Sequence, residues 1–195
     1  MVRKVVLTGG PCAGKTSVMN ILRAKLDDQA VFVEEAATQV FTEGQEVPVA
    51  SWSPGDWMRL QRRITVRQLE LEAAAVAVAE WTGREFVICD RAPCDNTAYP
   101  QGNEAVAELV STRRADVHAR YAQVFHLESL ATAQPDRFGQ SGNTARYETL
   151  AEAQDLELRA RTAWLNHPHW VFLAGRQSVD ELAASIIGQL QVVHA

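Results

Sequence analysis

Residues 2–17 read Val-Arg-Lys-Val-Val-Leu-Thr-Gly-Gly-Pro-Cys-Ala-Gly-Lys-Thr-Ser. A short apolar run leads directly into Gly9-x-x-x-x-Gly14-Lys15-Thr16, and an amphipathic stretch carrying Val18, Ile21, Leu22 and Leu26 follows. The glycines let backbone N–H groups curl around an anion with no Cβ in the way, and the helix that follows points its positive end at the same place. Gly9, Gly10, Pro11, Cys12, Ala13, Gly14, Lys15, Thr16 and Ser17 are therefore the expected phosphate cradle. Lys15 should reach β- and γ-phosphates, and the Thr16 hydroxyl should hold Mg²⁺. The bland alternative is a strand-to-helix turn that binds nothing. The apolar run before the pattern and the helical pattern after it argue for a nucleoside triphosphate instead.

A chain of 195 residues can bury one core but is short for two ordinary ones, so one domain over residues 1–195 is expected. Apolar residues at 47% and charged residues at 22% have the balance of a globular protein, not of a disordered chain. No segment approaches the roughly 20 apolar residues that span a bilayer. The apolar stretch at Val5-Val6-Leu7 is too short for a signal-peptide core, so a cytoplasmic location is expected. Cys12, Cys89 and Cys94 cannot all pair and show no metal-ligand spacing with histidines. A formal charge of −5 disfavours general nucleic-acid binding. Lysine occurs only at Lys4, Lys15 and Lys25, which excludes the Asn-Lys-x-Asp guanine-reading motif.

Short apolar runs alternate with longer helical patterns, which predicts strands near 3–8, 30–34, 85–90, 122–127 and 169–173 in a parallel sheet covered by helices on both faces. Ser53-Pro54-Gly55-Asp56 marks a helix start, and the pattern continues to Trp81; such a helix, ~40 Å at 1.5 Å per residue, would bend or project over the site. Its polar residues Arg59, Gln61, Arg62, Arg63, Arg67 and Gln68 read as a solvated face with the potential to touch substrate. Residues 130–145, rich in Gly, Gln, Ser and Thr, read as a long functional loop, and a helix should run from about Arg146 to Leu165. Ser178-x-x-Glu181 opens the last helix with a capping box.

The chemistry-bearing candidates lie at strand ends. Phe86-Val87-Ile88-Cys89-Asp90 is an apolar strand ending in an acid, and Asp90 would bind Mg²⁺ directly or through water. Arg91 can offer a planar fork to a phosphate or to an anionic acceptor, or pair with Asp95 or another local acid. Glu34-Glu35 closes the second strand; Glu35 is the preferred candidate to accept an acceptor proton, against a role as the acidic first turn of the next helix. Arg137 and Arg146 flank the suspected lid, where arginines could neutralise charge on the transferred group or simply face solvent. His126 reads as a core histidine, and the five tryptophans as core or cleft wall.

Val5 to Ser17, Val33-Glu34-Glu35-Ala36-Ala37, Ile88-Cys89-Asp90-Arg91, Phe125-His126-Leu127-Glu128 and Asn143-x-x-Arg146 together resemble the small AAA-type, kinase-like P-loop ATPases grouped with the nicotinamide riboside kinase domain of the bacterial NAD regulator. The resemblance implies a three-layer α/β/α P-loop NTPase fold, nucleoside-kinase-like, with a five-stranded parallel sheet and a lid near 130–146. It carries ATP binding onto Gly14, Lys15 and Thr16, the Mg²⁺ acid onto Asp90 and a lid arginine onto Arg146. Some relatives are described only as ATP-binding and some as binders of GTP and phospholipid, so no acceptor transfers. A ring-forming motor would need a further helical domain, for which this length leaves no room.

The combined expectation is a small-molecule kinase that uses ATP and Mg²⁺ and passes the γ-phosphoryl group to a nucleoside-like or other small acceptor. The alternative is an ATPase or GTPase switch that binds a partner protein or a phospholipid. A homodimer is compatible with either.

Overall fold

The computed structural model describes residues 1–44, 51–138 and 149–192. Five parallel strands, β1 (Arg3–Thr8), β2 (Ala30–Val33), β3 (Phe86–Asp90), β4 (Gln123–Leu127) and β5 (Trp170–Leu173), form one sheet in the order β2-β3-β1-β4-β5. All five lie where the alternation of apolar runs places them. Side chains of a strand point alternately to opposite faces, and here both faces are covered, which is why the strands read as nearly unbroken apolar runs.

Val5 and Leu7 of β1 face the layer formed by α1 (Lys15–Lys25) and α8 (Val179–Val192), packing with Leu22, Leu182 and Ile186. Val6, between them in sequence, faces the other layer and meets Val106 of α4 (Gly102–Leu109), Val117 of α5 (Arg114–His118) and Trp164 of α7 (Leu150–Trp164). On that same face Ala75 and Ala79 of α3 (Pro54–Thr82) pack on Val87 and Cys89, small residues that let a helix lie close to the sheet. The result is the expected three-layer α/β/α arrangement.

The long α3 begins with the anticipated cap: Ser53 accepts from Asp56 N–H and the Asp56 carboxylate accepts from Ser53 N–H at 2.8 Å. Its first half packs Leu60 and Ile64 on α2 (Ala36–Gly44) and only its second half reaches the sheet. One reading of α3 is corrected. Gln61 and Gln68 are not solvated; with Thr65 and Glu72 they form a buried polar stripe at helical spacing, and Glu72 accepts from Lys4 of β1 at 2.6 Å and from the Tyr121 hydroxyl at 2.8 Å. Gln68 Nε2 donates to the Arg91 carbonyl at 3.2 Å, and Asn96 Nδ2 to Thr65 Oγ1 at 2.8 Å.

The stretch 130–145 is also not one structureless loop. Ser129 caps a short helix, α6 (Leu130–Ala133), and Pro135–Arg137 form a single 3₁₀ turn. The helix after it begins at Leu150, capped by Thr149 and Glu152, and not at Arg146. Arg146 and the remainder of the suspected lid, 139–146, lie outside the described residues. Trp164 is fully buried, but Trp81 is 87% exposed at the end of α3 and belongs to neither core nor cleft. Cys12, Cys89 and Cys94 are buried free thiols. Among the described residues no helix is long and apolar enough to cross a membrane.

Candidate nucleotide site

The loop between β1 and α1 lies across the carboxyl end of the sheet, the edge at which open α/β sheets bind ligands. Its first glycine is dictated by space. Gly9 has φ 136°, and a Cβ there would stand 2.1 Å from the Leu127 carbonyl oxygen at the end of β4. The loop is tied down from outside: the Ser129 hydroxyl donates to the Pro11 carbonyl, and Leu130 N–H to the Cys12 carbonyl at 3.3 Å. Helix α1 has no acid in its first turn, so nothing of that kind offsets its positive end. Thr16 and Ser17 are exposed on that first turn.

Lys15 is buried and folds back over the loop, its Nζ donating to the carbonyls of Gly9 at 3.2 Å and Gly10 at 3.3 Å. Burial lowers its pKa and the nearby Arg91 adds to this, while Asp90, Glu35 and Asp95 pull the other way. Among the described residues this cationic group is therefore held close to anions without a carboxylate bonded to it. Those two carbonyl bonds are ones that a phosphate oxygen can replace.

Asp90 ends β3 in register with Leu7. It is 6% exposed, and its Oδ1 has no hydrogen-bond partner among the described residues. Burial pushes its carboxyl up to about 6, against the attraction of Lys15. An orphaned, desolvated carboxylate oxygen beside an anion cradle is a fit for a hard dication. No set of three His, Cys, Asp or Glu side chains is gathered for a metal ion among the described residues, so Mg²⁺ held by Asp90 and Thr16 would draw its other ligands from phosphates and water.

Arg91 takes φ 68°, unusual for a residue with a side chain, and its N–H donates to the Leu7 carbonyl at 3.0 Å. Its Nε donates to Glu35 Oε1 at 2.7 Å, while Asp95 Oδ1 stands 3.8 Å from Nη1. The local acid it pairs with most closely is thus Glu35. For Glu35, burial alone would raise the pKa, but Arg91 and Lys15 outweigh it and hold the carboxyl at about 2. Glu34 turns outward to Arg23 at 2.5 Å, so Glu35 is the member of the pair that faces this cluster. Arg137 is exposed and bonded to Gln134 Oε1 at 2.9 Å; among the described residues nothing joins it to Lys15, Asp90, Arg91 or Glu35.

Two acids carry more than their sequence context announces. Asp95 is fully buried and accepts from the Thr8 hydroxyl, from Ala92 N–H at 2.9 Å and from Trp164 Nε1 at 3.3 Å. It locks the turn that presents Arg91. Glu157, on α7, is 4% exposed and accepts from Gly10 N–H at 2.6 Å and from His126 Nε2 at 2.7 Å. A signal for Glu157 exists in the sequence: Ala153, Ala160 and Trp164 mark the buried stripe of α7, and position 157 falls on it. His126 is the core histidine its strand position predicts, and this carboxylate is its partner.

No curated protein matches the chain. A family model described as an AAA domain matches residues 4–181, which takes in the loop, Glu35, Asp90, Arg91 and Glu157. With a parallel five-stranded sheet and a phosphate-loop sequence behind that match, the chain belongs to this AAA-type family of P-loop nucleotide-binding domains.

Proposed function

We propose that this single domain binds ATP with Mg²⁺ at residues 9–17 and transfers the γ-phosphoryl group to a hydroxyl or phosphate of a small, nucleoside-like acceptor. The observation that carries the reading is the convergence of Lys15, at the start of α1, with Asp90, Arg91 and Glu35 just at or beyond the carboxyl ends of β2 and β3, where Arg91 bonds Glu35 at 2.7 Å and the charges of Lys15, Glu35 and Arg91 all act on Asp90. The loop N–H groups and the start of α1 receive the phosphates, and Lys15 exchanges the carbonyls of Gly9 and Gly10 for β- and γ-oxygens. Asp90 and Thr16 would hold the metal, which when bound would offset the negative charge of the phosphates.

Phosphoryl transfer needs placement and charge neutralisation more than it needs a strong base. That fits Glu35, whose low pKa makes it a poor proton acceptor while paired with Arg91. Glu35 instead positions the acceptor and holds Arg91, and Arg91 offers its remaining N–H groups to an anionic oxygen. Arg137 and Arg146 are the arginines that the segment between α6 and α7 would bring to the transferred group.

The test is turnover of ATP with Mg²⁺ by wild type and Lys15→Ala across a panel of nucleosides, nucleotides and other small metabolites. Acceptor-stimulated ADP release by wild type, lost by at least a hundredfold in Lys15→Ala at an unchanged melting temperature, supports the reading. Slow ADP release that no acceptor stimulates favours a nucleotide-dependent switch, and a fully active Lys15→Ala overturns the assignment.

A further inference from the structure

The peptide joining Gly9 to Gly10 is held at both ends. Its carbonyl accepts from Lys15 Nζ at 3.2 Å, and its N–H donates to Glu157 Oε2 at 2.6 Å. The second contact comes from across the fold, from a helix 147 residues further along the chain. It also explains Gly10: a Cβ at that position would stand 2.7 Å from Glu157 Oε2 and 3.0 Å from Glu157 Cα, so α7 is pressed against the loop at this point. The other carboxylate oxygen of Glu157 is fixed by His126 Nε2 at 2.7 Å, and His126 itself is immobilised between strands, fully buried and stacked on Phe172 with ring centroids 5.9 Å apart. Although burial works to raise its pKa, bonds from His126 and from the backbone of Gly10 and Ser129 hold the Glu157 carboxyl below the usual range.

These contacts differ in what they can do when an anion arrives. On the reading above, Lys15 leaves the Gly9 carbonyl to meet phosphate, and that end of the peptide is released. Glu157 has no such competing duty, since both its oxygens are committed to groups that do not move with the ligand. We infer that Glu157 is the positioning residue of the phosphate loop: acting through Gly10 N–H and braced by His126, it keeps the Gly9–Gly10 peptide in one orientation whether or not Lys15 is engaged elsewhere, and so sets the curvature that the phosphates meet. The inference rests on the assignment of residues 9–17 as a nucleotide cradle. It adds to that assignment a residue from α7 that touches no phosphate. A charge-assisted bond to a backbone N–H is about twice as strong as a neutral one, so a carboxylate suits the task better than an amide.

Calorimetric titration of Mg²⁺-ATP into wild type, Glu157→Gln and Glu157→Ala, at least 15 °C below each melting midpoint, separates positioning from packing. It is read beside the hydrogen-exchange rate of the Gly10 amide in nucleotide-free protein. Expected are a Kd raised about threefold to fivefold in Glu157→Gln, with a melting temperature close to wild type, and tenfold or more in Glu157→Ala, with Gly10 exchange accelerated in the same order. A lowered melting temperature with unchanged Kd and unchanged Gly10 exchange assigns Glu157 to stability alone and overturns the inference. If Glu157→Ala does not fold, Glu157→Gln decides: wild-type Kd and wild-type Gly10 exchange in that variant reject it. A wild type that binds no Mg²⁺-ATP rejects the underlying nucleotide reading, an outcome distinct from variants that bind as well as wild type.

Discussion

At the residue scale, the site is built on one acid that is uncomfortable and one that is not. Asp90 is buried with an unbonded oxygen, and its pKa lies near 6 against an ordinary 3.8. A folded-state pKa above the unfolded one means that stability falls as pH rises through the window between them, here from about 4 to about 6. Burial is the main cause of the raised pKa; Glu35 and Asp95 add to it, while Lys15 and Arg91 oppose it. Asp90→Asn should therefore be more stable than wild type at pH 7.5, by on the order of 1–2 kcal/mol. That gain should vanish below pH 4 in urea titrations, while Mg²⁺-dependent turnover is lost. No stability gain at pH 7.5 would mean that Asp90 is not desolvated as described. Glu35 is the contrast: bonded to Arg91, it has its charge already answered. The motif Asp90-Arg91 was legible as chemistry from residue order alone. The closer pairing of Arg91 with Glu35 was not, because it depends on β2 and β3 lying side by side and on the left-handed backbone of Arg91.

At the scale of elements, local signals did most of the work. Strand positions follow from apolar runs that both layers of helices must cover, and α3 starts where Ser53, Pro54 and Asp56 place it. Removing the Ser53 hydroxyl by Ser53→Ala should cost about 1 kcal/mol in denaturant unfolding. A cost below 0.3 kcal/mol would show that packing of Leu60 and Ile64, not the cap, fixes this end. Where sequence reading failed, the cause was the environment of one face. Gln61 and Gln68 look solvent-facing by type, but the stripe they share with Thr65 is buried: Gln68 donates to the Arg91 carbonyl, and Thr65 accepts from Asn96 in the turn formed by Pro93–Ala98. Conversely, Trp81 belongs by type to a core but lies about 200° around α3 from Ala79, on the face turned away from the sheet. The Gly- and Ser-rich composition after β4 hid α6, which is held by the Ser129 cap and by Gln154 donating to the Ala131 carbonyl at 2.8 Å.

On the scale of the whole molecule, the order β2-β3-β1-β4-β5 brings the carboxyl ends of β1, β2 and β3 together under one loop. From residue order the sheet, its layers and the phosphate loop could be read, because each has a periodicity or a glycine spacing of its own. Of the buried acids bonded to Thr8 and to Gly10 N–H, Asp95 has no local signature, and Glu157 shows only its place on the buried stripe of α7; their partners follow from tertiary packing alone. On the function proposed above, the loop over residues 9–17 is a polyphosphate cradle whose lysine is parked on its own backbone. A crystal structure with Mg²⁺ and a non-hydrolysable ATP analogue tests it most directly. Expected are phosphates inside the loop, Lys15 Nζ moved from the carbonyls of Gly9 and Gly10 to β- and γ-oxygens, and the metal held by Thr16 and Asp90. Nucleotide bound elsewhere, with Lys15 still on those two carbonyls, would contradict it.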